Sequence, residues 1–218
     1  MQRTPEPELM DEDAQARAYS EADFAIPHEA FCDETARVFS SSTKGTILDL
    51  GCGPADITVR FARRYPQLRI IGLDGAQAML DLGRERIEKA QLTDKIELRR
   101  CYLPTTELER SFEGIISNSL LHHLADPNVL WQTISQYATK NAPIFVMDLM
   151  RPNSEIKVRE LVKTYAAGEP DVLRHDFECS LHASYRTNEI EAQLAANGLD
   201  HLQVAATSDR HLIVYGYR

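Results

Sequence analysis

The chain has 218 residues, a formal charge of −9, and 43% hydrophobic and 26% charged residues. That balance suits one globular domain with its own core, and no run of about 18 apolar residues offers a membrane span. The net acidity disfavours contact with phosphate backbones, so neither nucleic acid nor a membrane is an expected partner.

The N-terminal stretch, MQRTPEPELMDEDAQ, is polar and acidic and lacks the apolar core of a secretory signal. Cys32, Cys52, Cys101 and Cys179 form no CxxC pair and no metal-ligand spacing. Reduced thiols, a cytoplasmic location and no metal are expected on that basis. Residues 1 to about 12, with Pro5, Pro7 and several acids, are expected to be mobile. From Glu12 to Phe39 the pattern is helical, with a break predicted at Pro27. Residues 1–44 therefore read as a helical segment ahead of a single domain spanning 45–218.

From Gly45 the rhythm becomes strand and helix in alternation. GTILDLG (45–51) is a short apolar run ending in glycine, as a buried parallel strand reads. ADITVRFARRYP (55–66) is an amphipathic helix stopped by Pro66. Arg60, Arg63, Arg64 and Arg69 crowd this stretch and are expected to form its solvated face. A second strand (68–75) and helix (76–92) follow, then strands at 95–101 and 112–119, a helix at 127–139 and a fifth strand at 142–150. A mostly helical insertion covers about 154–198. HLQVAATS (201–208) and RHLIVYGY (210–217) are so closely joined that they must be antiparallel. These elements predict an α/β fold: a mostly parallel seven-stranded sheet with an antiparallel last strand and helices on both faces.

The chemistry-bearing motif is ILDLGCGPADIT, residues 47–58. Strand, glycine turn and helix place Gly51 and Gly53 where backbone must approach a ligand at the strand's carboxyl end. Asp74, at the tip of the second strand, lies 21 residues beyond Gly53. In such sites a carboxylate there accepts both hydroxyls of an adenosine ribose. The third glycine of the dinucleotide fingerprint is absent, since position 56 is Asp. Asp49, inside the strand, would repel a diphosphate but suits the ammonium of a bound amino acid. Both details favour S-adenosylmethionine over NAD.

LDLGCGPADIT and IIGLDGAQAML resemble the first two motifs of class I S-adenosylmethionine (SAM)-dependent methyltransferases, which have a Rossmann-like fold. FEGIISNSLLHHLADP is similar to the fourth-strand segment of the menaquinone-biosynthesis and type 11 families. EIEAQLAANGL (189–199) resembles the helix before their sixth strand. The resemblance implies that Asp49, Gly51 and Gly53 hold the methionine part and the turn, that Asp74 takes the ribose, and that Gly75 and Asn118 border the cofactor. Met79 either packs on adenine or belongs to the core. The sequence departs from the family at Ala55, where another glycine is common, at Glu113, where Asp is usual, and at Cys101, where an acid often accepts the adenine amine. Backbone groups of Cys101 or Tyr102 are the remaining candidates for that contact.

Methyl transfer requires alignment and a deprotonated nucleophile. His122 and His123 after strand four, Asp148 at the end of strand five, and His28 beside Pro27 are the candidates on the acceptor side. In an extended loop, one of the two adjacent histidines must point away. AYSEADFAIPH (18–28) resembles the lid helices that close over SAM in the family and brings in Tyr19 and Phe24, which equally suit packing against the sheet's end. Tyr165, His175, Phe177, His182 and Tyr185 make the insertion a candidate second cover. The expected activity is transfer of a methyl group from SAM to an O, N or S atom of a small molecule, releasing S-adenosylhomocysteine, by a monomer or homodimer. A SAM-binding or SAM-modifying protein without acceptor methylation, and an NAD-dependent oxidoreductase, are the alternatives.

Overall fold

The computed structural model of the chain describes residues 1–6, 13–105, 108 and 111–218. The alternation seen in sequence resolves into β1 (Gly45–Leu50), β2 (Leu68–Asp74), β3 (Ile96–Arg100), β4 (Gly114–Asn118), β5 (Pro143–Leu149), β6 (Gln203–Ala206) and β7 (His211–Tyr217). Their order across the sheet is β3-β2-β1-β4-β5-β7-β6. Every neighbouring pair from β3 to β5 is parallel, and β7 runs antiparallel to both β5 and β6.

Successive strand residues enter opposite layers. In β1, Leu48 and Leu50 join one apolar cluster while Ile47 joins the other. In β5, Ile144 and Val146 face the first cluster while Phe145 and Met147 face the second. This two-sided burial is why these strands read as continuous apolar runs. Trp131 and Ile134 of α5 (Asn128–Tyr137) cover one face with Ile190 and Leu194 of α8 (Thr187–Ala196). Phe31 of α2 (Ala25–Glu34), Phe61 of α3 (Asp56–Arg64) and Ile87 of α4 (Gln77–Lys89) cover the other. The arginines of α3 turn outward: Arg60 pairs with Glu29 and Asp56, and Arg64 with Asp33. Glu113 has a backbone role, its Oε2 accepting from the Thr46 N–H at 2.6 Å.

The N-terminal region departs from its reading in two respects. α1 (Asp13–Glu21) ends well before Pro27, which lies in the first turn of α2. Proline is tolerated there because the first turn's N–H groups have no intrahelical acceptor. Residues 1–6, expected to be mobile, are tied down, while Glu12 lies outside the described residues. Thr4 N–H donates to the His182 carbonyl at 3.0 Å. The Arg3 guanidinium donates to the carbonyls of Ala183, His122 and Leu124 and lies 4.3 Å from the centroid of Tyr185. The insertion forms α6 (Glu155–Tyr165), α7 (Asp171–Ala183) and α8. Among the described residues, no helix is long and apolar enough to cross a membrane.

Candidate active site

The strand order reverses between β1 and β4, and the loop after β1 lies at that switch point. The loop hangs from β2: Gly51 and Cys52 both donate their N–H to the Leu73 carbonyl, at 2.8 and 3.0 Å. Gly51 and Gly53 take φ of +71° and +50°, the left-handed region that glycine enters without a Cβ penalty. A Cβ on Gly51 would lie 2.9 Å from Leu120 Cβ, whereas one on Gly53 would meet nothing within 4 Å. Close packing holds the first glycine, and open space lies above the second. Ala55 also takes a left-handed φ of +59°, at the position where the resemblance leads one to expect glycine. Asp74 completes the cradle, accepting Gly53 N–H on Oδ2 and Ala76 N–H on Oδ1, both at 2.8 Å.

This cradle forms one wall of a cavity of about 500 Å³, within the range of small-molecule sites. Of the residues selected from sequence as cofactor contacts, Asp49, Gly51, Gly53, Asp74, Gly75, Met79, Cys101, Tyr102 and Asn118 line it. Tyr19, His28, His122 and His123 line it as well. Asp148 does not reach it. Met79 is both core and wall: it packs with Ala16 and Ala76, with Tyr19 against them. Phe24 bridges Tyr19 and His28, with ring centroids 4.9 and 5.4 Å away.

Asp49 is almost wholly buried, and its side chain accepts the Thr58 hydroxyl at 2.7 Å. Burial pushes its carboxyl up to about 7, the Thr58 bond opposes this, and the nearby Asp74 adds to it. A buried acid held by one neutral donor is the kind of group that a ligand ammonium would pair with. Burial also raises the Tyr19 phenol to about 12, so it is neutral near pH 7. His28 Nδ1 lies 2.6 Å from Asp56 Oδ2. Burial opposes the charge on Asp56, but the hydrogen bonds from His28 and Arg60 outweigh it and hold the carboxyl well below its ordinary range. An ionised Asp56 makes Nδ1 the protonated nitrogen, so Nε2 is the one left to accept.

His122 and His123 do not diverge. Leu121–His123 is a 3₁₀ turn, not an extended loop, and the two rings lie side by side with centroids 4.2 Å apart. Asp148 sits behind them, its Oδ1 hydrogen-bonded to His122 Nδ1 and its Oδ2 accepting His122 N–H at 3.3 Å. Glu6 closes the group: its Oε1 is 3.4 Å from His122 Nε2 and 3.3 Å from His123 Nδ1. Sequence spacing offered no such cluster, because Glu6 is remote in the chain.

From the insertion, Tyr165 and Phe177 line the cavity, whereas His175, His182 and Tyr185 do not. Arg210 and His211 also line it and were missed. One signal pointed to them: β7 is antiparallel, so its first residues fall at the carboxyl edge of its parallel neighbours. Burial, with Arg210 beside it, lowers His211 to about 4, leaving it neutral near pH 7. Ser119, another missed wall residue, takes a left-handed φ of +53° at the end of β4.

Comparison with known proteins agrees with this architecture. Residues 47–141 match the family described as "Methyltransferase domain". An uncharacterized methyltransferase of Schizosaccharomyces pombe is 31% identical over 87 residues, which are 37% of this chain and 31% of that protein. A trans-aconitate 2-methyltransferase of Variovorax paradoxus is 29% identical over 125 residues, covering 57% of this chain and 45% of its own length. The matches thus span less than half the length of these curated relatives. The crystal structure of a SAM-dependent methyltransferase from Aquifex aeolicus superposes with a TM-score of 0.68 over 94% of this chain and 98% of the other. At 14% identity, that similarity is one of fold.

Proposed function

We propose, from the match of residues 47–141 to the family described as "Methyltransferase domain", that the protein is a class I SAM-dependent methyltransferase that methylates an O, N or S atom of a small acceptor. The observation that carries this reading is the cradle of Gly53 and Asp74, open above the glycine, beside a buried Asp49 whose one side-chain partner among the described residues is the Thr58 hydroxyl. The ribose hydroxyls suit Asp74, whose carboxylate is already oriented by two backbone amides. The ammonium of the methionine part suits Asp49, and the adenine suits the wall formed by Met79, Cys101 and Tyr102.

SAM supplies a methyl carbon on a sulfonium: the acceptor–carbon bond forms as the sulfur–carbon bond breaks, and any acceptor proton passes to a base or to water. The chain's own residues position the partners and keep water out. Tyr19, Phe24 and His28 of the N-terminal helices cover one side of the cavity, and Tyr165 and Phe177 of the insertion cover another. His28, oriented by Asp56, is the base candidate for an acceptor that binds protonated. The cavity and the net charge of −9 fit a small molecule and not a nucleic acid. Isothermal titration with S-adenosylhomocysteine, followed by a screen of small acceptors with methyl-labelled SAM, tests the proposal. Failure of the wild-type chain to bind the product would refute it.

A further inference from the structure

We propose that Glu6, His122 and His123 form a site for a divalent transition-metal ion, zinc-like in its preferences, at the wall of the acceptor cavity. Two segments far apart in the chain bring one carboxylate oxygen and two imidazole nitrogens within 4.8 Å of one another. A four-coordinate zinc with ligands at about 2.0–2.1 Å has ligand-to-ligand edges of about 3.3 Å. The two edges from Glu6 Oε1, to His122 Nε2 and His123 Nδ1, measure 3.4 and 3.3 Å.

Glu6 supplies a second, independent observation. Its side chain is 8% exposed, and its Oε1 is buried with no hydrogen-bond partner among the described residues. Two imidazole nitrogens approach that oxygen, yet neither meets hydrogen-bond geometry. A cation bound between them would satisfy that oxygen.

The surroundings are those a metal site needs. Asp148 engages His122 Nδ1, which leaves Nε2 as the ring nitrogen facing Glu6. An outer carboxylate of this kind orients a ligating histidine. Ser180 Oγ donates to the other Glu6 oxygen at 3.3 Å. Two nitrogens and one oxygen suit zinc and its first-row neighbours and not Ca²⁺ or Mg²⁺, which prefer all-oxygen sets. Three protein ligands leave a fourth position, and both histidines line the cavity. The role in catalysis rests on the methyltransferase reading: an acceptor hydroxyl or thiol taken as the fourth ligand would become more acidic. The site itself does not rest on that reading.

The test is titration of the chelator-stripped full chain with Co²⁺, followed by visible absorption, with S-adenosylhomocysteine binding measured in parallel. One Co²⁺ per chain should give the bands of a low-coordinate ion and be displaced by Zn²⁺. Asp148→Asn should weaken Co²⁺ about 10–100-fold, as loss of an outer partner does. Glu6→Gln and His123→Ala should each weaken it at least as much, while His175→Ala, outside the cavity, should leave it unchanged. Absence of the bands in the wild type, or bands that survive both Glu6→Gln and His123→Ala, would overturn the site. Co²⁺ binding without S-adenosylhomocysteine binding would uphold the site and refute the methyltransferase reading.

Discussion

Replacing Asp49 with asparagine should make the ligand-free protein more stable and a worse binder. The carboxyl is buried, accepts one hydroxyl from Thr58, and is pushed from the ordinary 3.8 to about 7. Because its folded value is raised, its contribution to stability is fully present below the unfolded value near 3.8. That contribution is lost as pH rises through about 7. The interval from 3.8 to about 7, at about 1.4 kcal/mol per pH unit, gives a total cost of roughly 4 kcal/mol above pH 7. Roughly 3 kcal/mol of that falls between pH 5 and pH 8.5. Asparagine keeps an acceptor for Thr58 and never ionises. Urea unfolding at the two pH values should show the advantage of Asp49→Asn over the wild type growing by about that amount. Titration near pH 7 should show S-adenosylhomocysteine binding weakened by at least about 1.5 kcal/mol, the scale of a lost charge-assisted hydrogen bond. A stability difference that does not change with pH, or unchanged affinity, would refute the reasoning.

Asp74→Ala should weaken S-adenosylhomocysteine binding by at least about 1.5 kcal/mol in calorimetry, since it removes both the proposed ribose partner and the acceptor that orients Gly53. Ala55→Gly relieves a left-handed residue at a cost estimated at about 1–2 kcal/mol, against loss of one buried methyl. Denaturant unfolding should therefore show it neutral or slightly stabilising. Hydrogen exchange over residues 13–39 should slow when S-adenosylhomocysteine is bound, and truncation before residue 40 should reduce turnover. Exchange indifferent to ligand, with full turnover in the truncated chain, would make these helices packing alone.

What the sequence disclosed follows from where contacts are local. The strands were legible because both faces of β1 and β5 are buried, and Asp74 because a β-α-β unit fixes its distance from Gly53. Pro27 misled because proline marks the first turn of a helix as readily as its end. The histidine pair misled because a 3₁₀ turn after β4 cannot be told from extended chain by two adjacent residues. Glu6 was out of reach: its contacts to His122 and His123 join segments with no shared period. Asp148 was visible as an acid at a strand's end, but its partner, His122, could be found only once β4 and β5 were seen side by side.

The most direct measurement is calorimetric titration of the wild-type chain with S-adenosylhomocysteine and, separately, with NAD⁺, each paired with thermal unfolding. The account predicts stoichiometric binding of S-adenosylhomocysteine with a rise in unfolding temperature, and no response to NAD⁺. Stabilisation by NAD⁺, with none by S-adenosylhomocysteine, would contradict it.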